Sequence, residues 1–169
     1  MKNILFILLA FASVNLAVAQ KNIEIEFTKD KEVIVNNTKL SKESSFQDIK
    51  KLLGEPTIYK NFRSGKINYH YENSGIAFHT INNKLVFLGI NFNWDGDESF
   101  PEKEYNGTFK IDDLSINKES KKSIIDTIKI VELKCIAPSL CVSNPEIEKT
   151  PIIIGFNNSL ITQIGFEFH

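Results

Sequence analysis

His70, Glu72 and His79 are the residues whose types and spacing come nearest to a reacting group in this chain. Imidazole titrates near neutral pH and ligates metals. On neighbouring strands His70 and His79 would face each other, with Glu72 on the same face as His70. Structural zinc needs four protein ligands and catalytic zinc about three, so this set is short and the expectation is no metal and no cofactor. As a base and an acid, the same three residues define the alternative reading, a hydrolase acting on an envelope component.

A second constellation lies in Asn93-Trp94-Asp95-Gly96-Asp97-Glu98. With Asn93 as position one, Asp95, Asp97 and Glu104 fall at three, five and twelve, the oxygen-ligand spacing of a calcium loop. The glycine needed for the sharp turn at position six is replaced by Glu98, so the segment reads as an acidic connector. Cys135 and Cys141 enclose Pro138 and predict a disulfide in an oxidising compartment. Closing a loop of about seven residues is worth roughly 2 kcal/mol by chain entropy. Redox dithiols are spaced Cys-x-x-Cys at a helix start, and these are not. With both cysteines spent on each other, no Cys and His pair remains, and neither a Gly-x-Ser-x-Gly elbow nor a glycine-rich phosphate loop occurs. A net charge of −1, with lysines scattered among acids, argues against nucleic acid as a partner. Tyr69, His70, Tyr71 and Trp94 are the binding candidates, because large aromatics anchor protein interfaces at small entropy cost. The expected partner is another protein.

The elements that must position these residues follow from periodicity. Ile23, Ile25 and Phe27 alternate with Glu24 and Glu26, and Val33 and Val35 continue after a turn, which predicts a hairpin. Ser44 or Ser45 opens a helix that buries Phe46, Ile49, Leu52 and Leu53 and stops at Gly54 and Pro56. Residues 67–92 then read as three strands, with turns at Ser74-Gly75 and Asn82-Asn83. The second half repeats this order. Ser120 to Ile128 predicts a second helix, Ile130 to Leu133 the start of a strand, and residues 152–156 and 160–168 two more. Lys42-Glu43-Ser44 recurs as Lys118-Glu119-Ser120, and Ile49 stands 76 positions before Ile125. The expectation is an α+β fold: an antiparallel sheet with one helix per unit, from a tandem duplication of a βαβββ unit. The units span residues 20–92 and 107–169, with a connector at 93–106.

A capped helix ending in Leu53-Gly54-Glu55-Pro56, followed by a strand bearing Tyr69 and Tyr71, resembles the SmpA/OmlA (BamE-like) family of bacterial envelope proteins over residues 33–92. Two such units in tandem resemble the beta-lactamase-inhibitor-protein-like architecture. The resemblance implies a non-enzymatic protein that binds other proteins through a sheet face. It carries over structural positions and no binding residue. The chain departs from both patterns, with no lipidation cysteine and fewer cysteine bridges.

The amino terminus sets the expected location. Lys2, an apolar stretch from Ile4 to Leu16, and Ala17-Val18-Ala19 predict a signal peptide over residues 1–19 with cleavage after Ala19. About thirteen apolar residues fall short of the roughly twenty that span a bilayer, so no membrane span is expected. The mature chain is expected in the periplasm or outside the cell.

Overall fold

The computed structural model describes residues 22–169, and the expected signal peptide lies outside the described residues. The chain runs β1 (Glu24–Phe27), β2 (Val33–Val35), β3 (Thr38–Leu40), α1 (Phe46–Leu53), β4 (Ile58–Asn61), β5 (Lys66–Tyr71), β6 (Ile76–Ile81) and β7 (Lys84–Asn91). After the connector come β8 (Thr108–Ile111), β9 (Leu114–Ile116), β10 (Leu133–Ala137), β11 (Leu140–Ser143), β12 (Ile152–Asn157) and β13 (Leu160–Glu167). They form a five-stranded sheet, β3-β2-β1-β8-β9, and an eight-stranded sheet, β10-β11-β12-β13-β7-β6-β5-β4.

The core lies between the two sheets. Phe27 of β1 stacks on Phe166 of β13 at 5.5 Å, and Phe109 of β8 meets the same ring at 6.0 Å. Helix α1 caps one end of this layer, with Ile49 fully buried and Phe46 against Tyr69 and Phe78.

The expected α+β fold with one helix per unit is overturned. The protein is mostly β, and among the described residues α1 is the one α-helix. Where a second helix was expected, Lys122–Thr127 forms a short 3₁₀ turn. The reason is local. Ser45 and Asp48 make a reciprocal capping box at the start of α1, whereas Lys121 offers the second segment no side-chain cap. Ile124, Ile125 and Thr127 are β-branched and lose rotamer freedom in a helix, and no glycine stands at the end to close one. Most strands adjacent in the chain pair antiparallel, but two decisive pairings are long-range. β1 lies parallel to β8, and β13 joins β7 at the centre of the large sheet.

A common spacing runs through the two halves. β3 and β9, β6 and β12, and β7 and β13 match in length and stand 76 residues apart. Leu85 N–H donates to the Ser44 carbonyl at 2.8 Å, and Ile161 N–H to the Ser120 carbonyl at 3.0 Å. The turns Asn82-Asn83 and Asn158-Ser159 take the same left-handed backbone, with φ of 50° and 63° against 48° and 66°. In the β7–β13 pairing Gly89 lies opposite Gly165, its counterpart at the same spacing, so the two halves meet there about a pseudo-twofold axis.

Candidate functional site: the outer face of the large sheet

Strand alternation divides the large sheet into an inner face on the core and an outer face. Tyr69 and Tyr71 point inward. Tyr69 stacks within 4.6 Å of both Phe46 and Phe78, and the Tyr71 hydroxyl donates to the Gly54 carbonyl at 2.8 Å, fastening the end of α1 to β5. Burial raises the Tyr71 phenol well above its usual range. Of the four binding candidates, Tyr71 is thus a buried core residue and Tyr69 is half-buried against the core. His70 faces outward between them, and Trp94, 44% exposed, stands in the connector.

On the outer face, the register aligns Ile153, Gly165, Gly89, Ala77 and His70 across five strands, with Glu167, Phe87, His79 and Asn68 in the next row. Small residues in the first row leave a trough into which rings can settle. A Cβ at Gly89 would come within 2.5 Å of the Phe100 ring, and one at Gly165 within 2.5 Å of the Phe87 ring. Phe87 in turn stacks on His79 at 4.7 Å and meets Phe100 edge-on at 5.9 Å.

The connector is a strap across one side of this face. Asn91, fully buried, donates through Nδ2 to the carbonyls of Pro101 and Lys103 at 2.8 and 3.1 Å. His70 Nε2 lies 3.1 Å from the Ser99 carbonyl, and Asn68 Nδ2 donates to the same oxygen at 3.3 Å. A carbonyl only accepts, so Nε2 of His70 carries the proton. Phe100 fills the trough over Gly89.

Beside the strap the face opens over β11–β13 into a cavity of about 610 Å³, whose near wall is made by β6, β7 and the strap residues Asp97, Ser99 and Phe100. Ile153, Gly155, Gly165 and Phe87 give it apolar walls; Asp97 and Glu167 are its carboxylates, and no lysine or arginine lines it. His79 also borders it and is only 8% exposed. Its Nε2 is buried with no hydrogen-bond partner, and burial, with smaller contributions from Lys66 and His70, pushes its pKa down to about 4. Burial also lowers His70. Both rings are neutral at pH 7.

The residues weighed for metal chemistry do not converge. In the β5–β6 register His79 is opposite Asn68 and His70 opposite Ala77, so the histidines are diagonal neighbours, not a facing pair. Glu72 lies in a turn after β5, where it accepts the Lys103 N–H at 3.3 Å. In the calcium-like loop, Asp95 accepts from Gln163 at 2.9 Å, Asp97 from the Ser99 N–H at 2.8 Å, and Glu104 pairs with Lys118. Asn93 donates to the Lys118 and Ile161 carbonyls. These are the fastenings of a strap. Among the described residues, no group of three or more His, Cys, Asp or Glu is placed to hold a metal ion.

Cys135 and Cys141 form a disulfide, opposite each other on β10 and β11 at the edge of the large sheet. The bond fits an oxidising compartment. Among the described residues no helix is long and apolar enough to cross a membrane. The sequence reading did not single out Phe87, Phe100, Gly89, Gly155, Gly165 or Asn91. The glycines inside strands at 89, 155 and 165 were the available signal, since glycine there marks close approach of other groups.

Fold and face together define a two-sheet β protein whose larger sheet is strapped on one side and open on the other. The chain belongs to the family described as a domain of unknown function, DUF7738, whose model matches residues 24–126, from β1 into the 3₁₀ turn. No curated protein matches it. Among solved structures it is similar to an extracellular protein containing a SCP domain from Bacillus anthracis str. Ames, at 8% identity and a TM-score of 0.46. That likeness covers 75% of this chain and 43% of the other, so the chain spans less than half of its neighbour's length.

Proposed function

We propose that this chain is a secreted, non-enzymatic protein-binding module that engages its partner through the outer face of the large sheet, over β11–β13. The observation that carries the reading is the open, apolar half of a face whose other half is closed by the chain's own strap. A segment of the chain's own already lies across β5–β7, held by polar side chains and seated by an aromatic ring on glycine; a partner's segment would lie beside it. Cleavage after Ala19 would deliver the mature chain to the periplasm or the medium, and the disulfide supports that address. The resemblance of residues 33–92 to BamE-like envelope proteins points the same way. Trp94 stands at the start of the strap and could add contact area at the rim.

The test is affinity purification of tagged mature protein from its own envelope fraction, run beside Gly155→Trp, which fills the cavity, and Trp94→Ala. The expected result is a partner retained by the wild type and lost with Gly155→Trp. A partner bound equally by both, or one lost only when residues of the five-stranded sheet are changed, would overturn the reading.

A further inference from the structure

We propose that the group the β11–β13 cavity accepts is a lysine or arginine side chain of the partner polypeptide; this rests on the reading of that face as protein-binding. Charge gives the first argument. Asp97 and Glu167 line the cavity, and its walls hold no lysine or arginine; its histidines are His79, neutral at pH 7, and His169 beside Glu167. Most other acids of the strap are spent: Asp95 holds Gln163, Glu98 pairs with Lys60 at 3.0 Å, and Glu104 pairs with Lys118 at 2.9 Å. Asp97 accepts a backbone N–H, and Glu167 meets only His169 at 3.5 Å, a ring charged only when protonated. Among the described residues no lysine or arginine pairs with either carboxylate.

The shape of the site supplies the rest. A basic side chain is an aliphatic stem with a cationic head, and it buries the stem along apolar surface while the head stays at a polar rim. Ile153, Gly155 and Gly165 provide that surface, and the faces of Phe87 and Phe100 can attract a cation. His79, neutral at pH 7 and stacked on Phe87 at 4.7 Å, borders the cavity as a ring and sets no positive charge against a cation. An anionic ligand would meet two carboxylates and no lysine or arginine to compensate them.

The experiment is an NMR titration of ¹⁵N-labelled mature protein with three probes: the blocked tripeptide Ile-Lys-Ile, its Ile-Glu-Ile counterpart, and hexylammonium. The lysine peptide should shift the Gly155, Gly165 and Glu167 amides and weaken roughly tenfold in Glu167→Gln, the loss of about 1.4 kcal/mol. Asp97→Asn should act in the same direction, and both variants should keep the dispersed spectrum of the folded protein. Equal binding of the glutamate peptide, or shifts confined to other surfaces, would overturn the proposal. Hexylammonium binding as tightly as the lysine peptide would overturn the polypeptide source. A partner that needs an unfilled Gly155 cavity yet binds the Asp97→Asn, Glu167→Gln double variant undiminished would sink this inference while leaving the protein-binding reading in place.

Discussion

The β6–β7 and β12–β13 hairpins of the large sheet share their strand lengths and turns at a spacing of 76 residues, yet the outer faces on the two sides are finished differently. On the β5–β7 side, His70, Asn68 and Asn91 hold the strap and Phe100 fills the trough. On the β11–β13 side, Gly155 stands where His79 stands in the first half, Gln163 where Phe87 stands, and the surface is open. The same backbone therefore serves two ends. Side chains decide which half is closed by the chain itself and which is left for another molecule. The helical segments at the same spacing teach a parallel lesson. With a capping box and a glycine stop, residues 46–53 make an α-helix; without them, 122–127 stay a 3₁₀ turn.

Substitutions at matched positions test this contrast. The largest difference should come from Ile49→Ala against Ile125→Ala. Ile49 is fully buried beneath α1 and its truncation should cost about 2–5 kcal/mol, while the half-buried Ile125 should cost about 1 kcal/mol, read as midpoints of urea unfolding. Equal losses would mean that both segments anchor the core alike.

Acid should act chiefly on the strapped half. The folded pKa of His79 lies at about 4, below the value of about 6.5 for an unfolded histidine, so the unfolded chain binds the proton more readily between those values. Stability contributed by the neutral ring is present above about pH 6.5 and is lost as pH falls toward 4. The lowered His70 adds to the loss in the same direction. The expected fall between pH 7 and pH 4 is on the order of 2–3 kcal/mol. It should be shallower in His79→Phe, which keeps a ring against Phe87 and has nothing to titrate. An identical pH profile in that variant would remove His79 from the explanation.

A third contrast sets Gly165 against Gly155. A Cβ at Gly165 collides with the Phe87 ring, so Gly165→Val should cost about 1–3 kcal/mol by overpacking. At Gly155 the first obstacle is the Thr162 hydroxyl at 2.8 Å, the end of a side chain, and Gly155→Val should cost less than Gly165→Val in the same denaturation series. A reversed order would place the packed trough on the wrong half. The smallest effect expected is Ser45→Ala, about 1 kcal/mol from the lost cap, seen as a lower melting temperature.

Much of the scaffold is legible in local sequence pattern. Alternation of Ile67, Tyr69 and Tyr71 located β5, paired asparagines at 82 and 83 marked the β6–β7 turn, and Ser45 with Gly54 bounded α1. The pairing of Cys135 with Cys141 followed from spacing and compartment. Alternation assigns residues to faces but does not say which face is wet. Alternation sets Tyr69 and Tyr71 on one face and His70 on the other, and only the assembled layer under α1 shows that the tyrosine rings pack inward while His70 turns outward. The parallel β1–β8 pairing and the β7–β13 seam join residues more than seventy positions apart, and no local pattern encodes them. The connector's composition, acidic and rich in turn formers, predicts only a linker or a long surface loop. Its fastenings are single side chains, Asn91 above all, whose partners become visible only once the sheet is assembled.

The central claim is that the open half of the outer face is where a partner sits. Site-specific photocrosslinking tests it most directly, with a benzophenone amino acid placed at Ile153 on the outer face of β12, at Trp94 on the rim, and at Lys39 on the five-stranded sheet. The account predicts a discrete crosslinked species from position 153, competed away by unlabelled wild-type protein but not by Gly155→Trp, and none from position 39. Crosslinking from position 39 with none from 153 would contradict it.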